Sequence, residues 1–121
     1  MARILVVEDN AQNRKLAQLV LQKGGHEVVC AEGGEEGVRL ARERRFDLVL
    51  MDVQMPGMDG LEATRLLREG AETAGLKIVA LTALAMKGDE ERILKAGFDA
   101  YLAKPFDYSE LVGMVARLLK G

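Results

Sequence analysis

With 121 residues, a formal net charge of −2, 49% hydrophobic and 30% charged residues, the chain has the size and composition of one globular domain. No apolar stretch approaches the roughly 18 residues of a membrane span, and no basic stripe indicates direct contact with nucleic acid, so we expect neither as a partner. The start of the chain has no signal-peptide pattern and its single cysteine, Cys30, cannot form an internal disulfide, so we expect a cytoplasmic location.

Five short apolar segments, taken in chain order, predict β-strands. They are RILVVE (3–8), EVVCA (27–31), DLVLMD (47–52), KIVALT (77–82) and AYLAK (100–104). Their even apolarity suits strands that are covered on both faces. The stretches between them have helical spacing, as in Leu16, Leu19 and Val20 in the first and Leu111, Val115 and Leu118 in the last.

Local signals mark the ends of the predicted helices. Gly24 and Gly97 stand where a helix C-terminus needs a left-handed residue. Two acid pairs have the spacing of a capping box, with Asp in place of Ser or Thr: Asp59 with Glu62 and Asp107 with Glu110. The alternation of strands and helices predicts an α/β fold, with a doubly wound, five-stranded parallel sheet and helices on both faces.

Polar residues stand where the predicted strands end. Glu8 and Asp9 follow the first strand, Asp52 ends the third, Thr82 ends the fourth and Lys104 ends the fifth. An open parallel sheet binds its ligands outside the carboxyl ends of its strands. If the first strand lies beside the third, the three acids form a carboxylate cluster that Thr82 and Lys104 approach from the other side.

This cluster indicates phosphoryl chemistry with a metal ion. Three neighbouring carboxylates repel one another unless a cation intervenes, and hard oxygen ligands suit Mg²⁺. The formal charges of the three acids, of Lys104 and of Mg²⁺ sum to zero, so the site tolerates an incoming phosphoryl group. Asp52 is then a candidate nucleophile, and Thr82 offers a hydroxyl donor to a phosphoryl oxygen.

Each of these residues also has an ordinary structural explanation. Glu8 and Asp9 suit the start of a helix, where acids are favoured by the helix dipole. Asp52 is compatible with a strand-end turn, Thr82 with a strand or cap position, and Lys104 with a loop. Their joint placement at one sheet edge favours the functional interpretation.

Four motifs carry a resemblance to a known family. In ILVVEDN (4–10), DLVLMDVQMPGMDG (47–60), IVALTA (78–83) and DAYLAKPF (99–106), the sequence resembles the receiver domains of bacterial two-component response regulators. The resemblance covers residues 1–121 and implies a flavodoxin-like fold with strand order 2-1-3-4-5. It implies one receiver domain without an output domain. The stretch 82–107 is more similar to single-domain cell-cycle regulators and receivers of hybrid kinases than to receivers of transcription factors.

The same resemblance implies roles for the acids. Asp52 would be the phosphoacceptor. Asp9 and Asp52 would ligate Mg²⁺ together with the main-chain carbonyl of Gln54, and Glu8 would help through water. The acidic pair is Glu-Asp rather than Asp-Asp, a variation that leaves metal binding in place.

The resemblance also implies roles for Thr82, Tyr101, Lys104 and Pro105. Thr82 and Lys104 would assist phosphoryl transfer, and Thr82 and Tyr101 look like the switch pair of the family. The Lys104–Pro105 peptide looks like its cis peptide. Phosphorylation would then alter the surface around residues 84–119, where we expect a downstream protein target, as yet unknown, to dock.

The leading hypothesis is a signalling module rather than an enzyme. It would accept a phosphoryl group from a phosphohistidine of a histidine kinase or a histidine phosphotransfer protein. One alternative is an aspartate-nucleophile, Mg²⁺-dependent phosphatase, which needs a second acid two residues after the nucleophile, where this chain has Gln54. Another is a receiver-like binding module that works without phosphate.

Overall fold

A computed structural model describes residues 2–83 and 87–120. The strands are β1 (Arg3–Val7), β2 (Glu27–Ala31), β3 (Leu48–Asp52), β4 (Lys77–Thr82) and β5 (Ala100–Ala103). The helices are α1 (Ala11–Lys23), α2 (Gly34–Glu43), α3 (Gly60–Glu69), α4 (Lys87–Lys95) and α5 (Tyr108–Lys120). Each strand lies within one residue of its predicted bounds. None of the helices in the described ranges combines the length and the apolar composition that a membrane crossing requires.

The five strands form one parallel sheet in the order β2-β1-β3-β4-β5, which confirms the predicted doubly wound fold. Successive side chains of a strand point to opposite faces of a sheet, so each strand serves two cores. In β1, Leu5 and Val7 pack in the core beneath α2, α3 and α4. Ile4 and Val6 pack in the core beneath α1 and α5. Cover on both faces explains why the strands are evenly apolar.

The register of the sheet brings the ends of the strands to one edge. Val7 of β1 lies opposite Met51 of β3, and Asp52 lies opposite Leu81 of β4. Thr82, the last residue of β4, lies opposite Ala103 of β5. The polar residues at or just after these positions therefore share the carboxyl edge of the sheet.

Helix α1 is confirmed, but its buried face differs from the predicted one. The helix buries Ala17 and Leu21, one turn apart, whereas Leu16 and Leu19 are 39% and 51% exposed. The face of α1 that packs into the core carries Ala17 and Leu21, so Leu16 and Leu19 lie away from that face. In α5, by contrast, Leu111 and Val115 are buried as the spacing predicted.

One of the two glycines predicted to be left-handed is not; the left-handed conformation lies at the next residue. Gly97 has a φ of 111° and confirms the prediction. Gly24 has a φ of −78° and instead ends α1 as its C-cap, so the prediction for Gly24 was wrong. The left-handed residue is Gly25, with a φ of 89°. Two consecutive glycines gave no local signal for choosing between them.

Acid caps begin two of the helices, as predicted. The Glu62 N–H donates to Asp59 Oδ1 at 2.9 Å at the start of α3. At the start of α5, the Glu110 N–H donates to Asp107 Oδ1 at 2.9 Å and the Asp107 N–H donates back to Glu110 Oε1 at 3.2 Å. The α5 pair therefore forms the reciprocal capping box that its spacing indicated.

Candidate functional site

A lysine and two buried acids meet at the carboxyl edge of the sheet. Lys104 Nζ donates to Glu8 Oε1 at 2.9 Å and to Asp52 Oδ2 at 3.2 Å. Glu8 is 2% exposed and Asp52 is 5% exposed, so both carboxylates have lost most of their hydration. The ammonium group of Lys104 compensates for part of that loss. Residues from the ends of β1, β3 and β5 are thus brought together over long sequence separations.

The third acid completes a group of oxygen ligands. One carboxylate oxygen each from Glu8, Asp9 and Asp52 lies within 4.8 Å of the other two. Asp9 is exposed, so the group is open to solvent on one side. Several carboxylate oxygens with room for water suit the hard cation Mg²⁺. The residues present therefore fit the predicted metal.

Main-chain N–H groups hold the two buried acids. The Gln54 N–H donates to Asp52 Oδ1 at 3.1 Å, and the Asn10 N–H donates to Glu8 Oε2 at 3.3 Å. The side chain of Gln54 is exposed, so this residue reaches the site through its main chain. Both carboxylates of the pair therefore have one oxygen on Lys104 and the other on a backbone donor.

Thr82 and Lys104 lie at the same edge as the acids. Thr82 is completely buried at the end of β4, and its carbonyl accepts the Lys104 N–H at 2.7 Å. This hydrogen bond ties the end of β4 to the residue that follows β5. The peptide between Lys104 and Pro105 is cis.

A glycine lets helix α3 begin directly against the end of β3. The Gly60 N–H donates to the Val53 carbonyl at 3.0 Å. A Cβ at Gly60 would lie 2.2 Å from the carbonyl oxygen of Asp52 and 2.9 Å from the Cα of Val53. The loop after Asp52 turns back at this point, and only glycine leaves room for the approach.

The charges of the site shift the ionisation of its members. Burial raises the pKa of Glu8 above its usual value, and the adjacent Asp52 adds to this effect against the attraction of Lys104. Burial acts to lower the pKa of Lys104, but the hydrogen bond to Glu8 and the charge of Asp52 outweigh it and the pKa is raised. Lys104 therefore remains a cation at neutral pH.

The two residues of the predicted switch pair share one face of the sheet. Tyr101 of β5 lies opposite Ala80 of β4, and Thr82 stands two residues beyond Ala80. Alternate residues of a strand point to the same face. Tyr101 is half-buried against the core under α2, α3 and α4, and the Glu90 carboxylate beside its hydroxyl raises its pKa.

One residue at the site was not singled out by the sequence analysis. Arg14 Nη1 donates to the carbonyl of Glu8 at 2.9 Å and to that of Asp9 at 3.5 Å. The sequence did hold a signal for it, because Arg14 lies in the first turn of a helix, where the helix dipole disfavours a cation.

The fold and the site define a class of protein. The sequence matches the response regulator receiver domain over residues 4–116, and the chain belongs to this family, which works in two-component signalling. It is 40% identical over 116 residues to the polar-differentiation response regulator DivK of Brucella anthropi, covering 96% of this chain and 94% of DivK. The resemblance stated from the sequence motifs is thereby confirmed.

Solved structures of receiver domains superpose closely on this chain. One is the receiver domain of a sensor histidine kinase from Pseudomonas aeruginosa, with a magnesium ion coordinated in its active-site cleft. It has 39% identity and a TM-score of 0.93, covering 99% of this chain and 98% of that one. The response regulator TrrA of Thermotoga maritima, in complex with Mg²⁺ and BeF, has 37% identity and a TM-score of 0.86, covering 98% and 99%.

Proposed function

We propose that this receiver domain takes a phosphoryl group onto Asp52 from a phosphohistidine of a histidine kinase or of a histidine phosphotransfer protein. It then binds a different set of protein partners. The position of Asp52 supports the proposal most directly. Its carboxylate ends β3 with Lys104 on one oxygen and lies among the carboxylate oxygens of Glu8 and Asp9.

The transfer is a displacement at phosphorus. A carboxylate oxygen of Asp52 forms the new O–P bond while the P–N bond to the donor imidazole breaks. The imidazole nitrogen keeps the electron pair and takes up a proton. Lys104 and the Gln54 N–H already hold the carboxylate in place. Lys104 then neutralises charge on the phosphoryl oxygens, and Thr82 offers a hydroxyl donor; positioning and charge neutralisation provide most of the catalysis in such transfers.

A magnesium ion belongs to this proposal. Glu8, Asp9, Asp52 and the main-chain carbonyl of Gln54 are the groups that would hold it, with Glu8 acting through water. When bound, Mg²⁺ supplies positive charge to the oxygens of the transferred group. Support comes from the spacing of the acid oxygens and from the magnesium ion in the cleft of the Pseudomonas relative.

The domain acts as a switch rather than as an enzyme on other substrates. It gains and loses only its own phosphate, and the exposed Gln54 stands where an aspartate-nucleophile phosphatase would need a second acid. We place the exchange in the cytoplasm, because the half-buried thiol of Cys30 suits a reducing compartment.

Phosphorylation by a small donor tests the acceptor. The chain is incubated with Mg²⁺ and acetyl phosphate, and added phosphate is located by mass spectrometry. We expect one phosphate on Asp52 that requires Mg²⁺. Asp52→Asn keeps the side-chain shape but removes the carboxylate, so it should stay folded and unlabelled. Asp47→Asn, at the residue that precedes the same strand, is the matched control and should be labelled like the wild type.

The same experiment separates the alternatives. Full labelling of a folded Asp52→Asn protein would contradict the proposal. Rapid release of inorganic phosphate from small phosphate esters would favour the phosphatase. Absence of any phosphate on the folded wild-type protein, with acetyl phosphate and with a phosphorylated histidine phosphotransfer protein, would leave the phosphate-independent binding module.

A further inference from the structure

Arg14 of α1 contacts the main chain that carries two of the acids. We propose that Arg14 is a positioning residue for the metal site. Its guanidinium fixes the connection between β1 and α1, so that the carboxylates of Glu8 and Asp9 face Asp52. The inference rests on the proposed function, because it concerns the Mg²⁺ site of that function.

The guanidinium joins two loops at the carboxyl edge of the sheet. Arg14 Nη1 donates to the Glu8 carbonyl at 2.9 Å and lies 3.5 Å from the Asp9 carbonyl. Its Nη2 lies 4.0 Å from Glu32 Oε1, in the connection between β2 and α2. The Arg14 side chain is only 18% exposed. Arginine suits this role because its planar fork presents several donors in fixed directions.

Asp9 depends on this anchor more than Glu8 does. The Glu8 carboxylate is held by Lys104 and by the Asn10 N–H. Within residues 2–83 and 87–120, no hydrogen bond restrains the Asp9 carboxylate, and only the Arg14 guanidinium engages the Asp9 carbonyl. The direction of the Asp9 side chain therefore follows from the main chain that Arg14 holds.

The position of Arg14 within its helix is unfavourable for a cation. It lies in the first turn of α1, where the helix dipole repels positive charge, and that turn contains no acidic residue. Glu32 is 78% exposed at 4.0 Å, so that ion pair contributes little. A residue that breaks a local rule without local compensation is often kept for a functional site. For Arg14, the unfavourable position is offset because its guanidinium orders the connection between β1 and α1, which carries Glu8 and Asp9.

The direction of the change in Mg²⁺ affinity distinguishes positioning from simple charge. If Arg14 acted only through its charge, it would repel Mg²⁺, and its removal would tighten binding. If it positions Glu8 and Asp9, its removal weakens binding, although the site becomes more negative. Residues that orient metal ligands typically change metal affinity by about 10- to 100-fold when they are lost.

Calorimetric titration with Mg²⁺ alone, on the full chain, tests the inference. We expect Arg14→Met to weaken Mg²⁺ binding by about tenfold. Lys15→Met is the matched control, because Lys15 is the next residue of the same helix, is exposed and makes no ion pair within the described part of the chain. It removes the same charge and should bind Mg²⁺ like the wild type or slightly more tightly. Unchanged or tighter binding by folded Arg14→Met would overturn the inference.

Two further measurements separate the effect of charge from that of positioning, and the inference from the proposed function. Arg14→Lys keeps the charge but lacks the planar guanidinium, so it should bind Mg²⁺ several-fold more weakly than the wild type. If Arg14→Met does not fold, unchanged or tighter Mg²⁺ binding by Arg14→Lys would overturn the inference. Phosphorylation of the wild-type chain by acetyl phosphate is measured in parallel. A wild-type chain that binds Mg²⁺ without being phosphorylated would refute the proposed function alone. A wild-type chain that does not bind Mg²⁺ would refute this inference.

Discussion

Lys104 is a cation shared by two buried carboxylates, and its removal should have opposite effects on the free and the metal-bound protein. Glu8 and Asp52, which are 2% and 5% exposed in the wild type, would lose their shared ammonium partner in Lys104→Met. The loss should lower the free energy of unfolding by about 1–3 kcal/mol without Mg²⁺. Mg²⁺ should bind more tightly, because the acids lack a competing cation, and should restore most of the stability. Phosphorylation should be slower.

Urea unfolding with and without Mg²⁺ measures this effect. Lys95→Met serves as the control, because Lys95 is exposed at the end of α4 and makes no ion pair within the ranges that the structure describes. It should unfold like the wild type under both conditions. An equal loss of stability in Lys104→Met with and without Mg²⁺ would contradict the shared-cation explanation.

Two buried threonines differ in whether their hydroxyl groups have partners. Thr64 in α3 is 0% exposed, and its hydroxyl has no hydrogen-bond partner in the described part of the chain. Thr73 is 3% exposed, and its hydroxyl donates to the Leu67 carbonyl at 2.5 Å. Thr64→Val should raise the free energy of unfolding by about 1 kcal/mol, and Thr73→Val should lower it by about the same amount. Chemical denaturation checks both; the reverse order would contradict the assignment.

At the scale of elements, the contact between α3 and the end of β3 should tolerate no side chain at Gly60. A methyl group there would meet the Asp52 carbonyl at 2.2 Å, so α3 would have to move away from β3. Gly60→Ala should lower the free energy of unfolding by about 1–3 kcal/mol. Because the loop after Asp52 would shift with the helix, phosphorylation of this variant should also be slower.

A second glycine provides the control for Gly60→Ala. Apart from its chain neighbours, a Cβ at Gly75, in the connection between α3 and β4, would meet no atom of the described residues within 4 Å. Gly75→Ala should leave phosphorylation unchanged and raise stability by about 0.4–1 kcal/mol, because it restricts the unfolded chain. Thermal unfolding of both variants measures the contrast. Wild-type stability and labelling in Gly60→Ala would show that the contact is easily relaxed.

The elements themselves were largely predictable from local patterns. The strands could be located because a run such as KIVALT in β4 has no helical period, and burial on both faces requires such a run. Details that depend on packing were not predictable. The choice between Gly24 and Gly25 rests on how α1 meets β2. The exposure of Leu16 and Leu19 follows from the orientation of α1, which packs Ala17 and Leu21 into the core.

The part of the site that lies at the carboxyl ends of the strands was predictable from the sequence. Glu8, Asp52 and Lys104 could be brought together in advance, because parallel strands present their carboxyl ends at one edge. Arg14 could not, because a guanidinium reaches several ångströms and its targets are main-chain carbonyls. The sequence shows only a cation early in a predicted helix, which marks Arg14 as unusual but does not identify its partners.

At the scale of the whole molecule, the proposed function requires the site to communicate with a surface that a target can bind. Residues 84–119 were predicted as that surface, and residues 84–86 of it lie outside the described ranges. Thr82 stands at the site, and Tyr101 lies on the next strand, on the same face of the sheet, with Glu90 of α4 beside its hydroxyl. A displacement of Thr82 can therefore affect Tyr101 on the neighbouring strand and, through it, the surface of α4.

Amide NMR spectra with Mg²⁺ and the phosphate mimic beryllofluoride test this route. A mimic on Asp52 would offer an acceptor to the Thr82 hydroxyl and free space for the Tyr101 ring, so populations shift between two existing arrangements. A bias of about 1.4 kcal/mol changes their ratio tenfold. We expect shifts at Tyr101, α4 and α5, all absent in Asp52→Asn. Shifts confined to the loops around Asp52 would refute the switch and leave the acceptor intact, because binding the mimic needs only the carboxylate site.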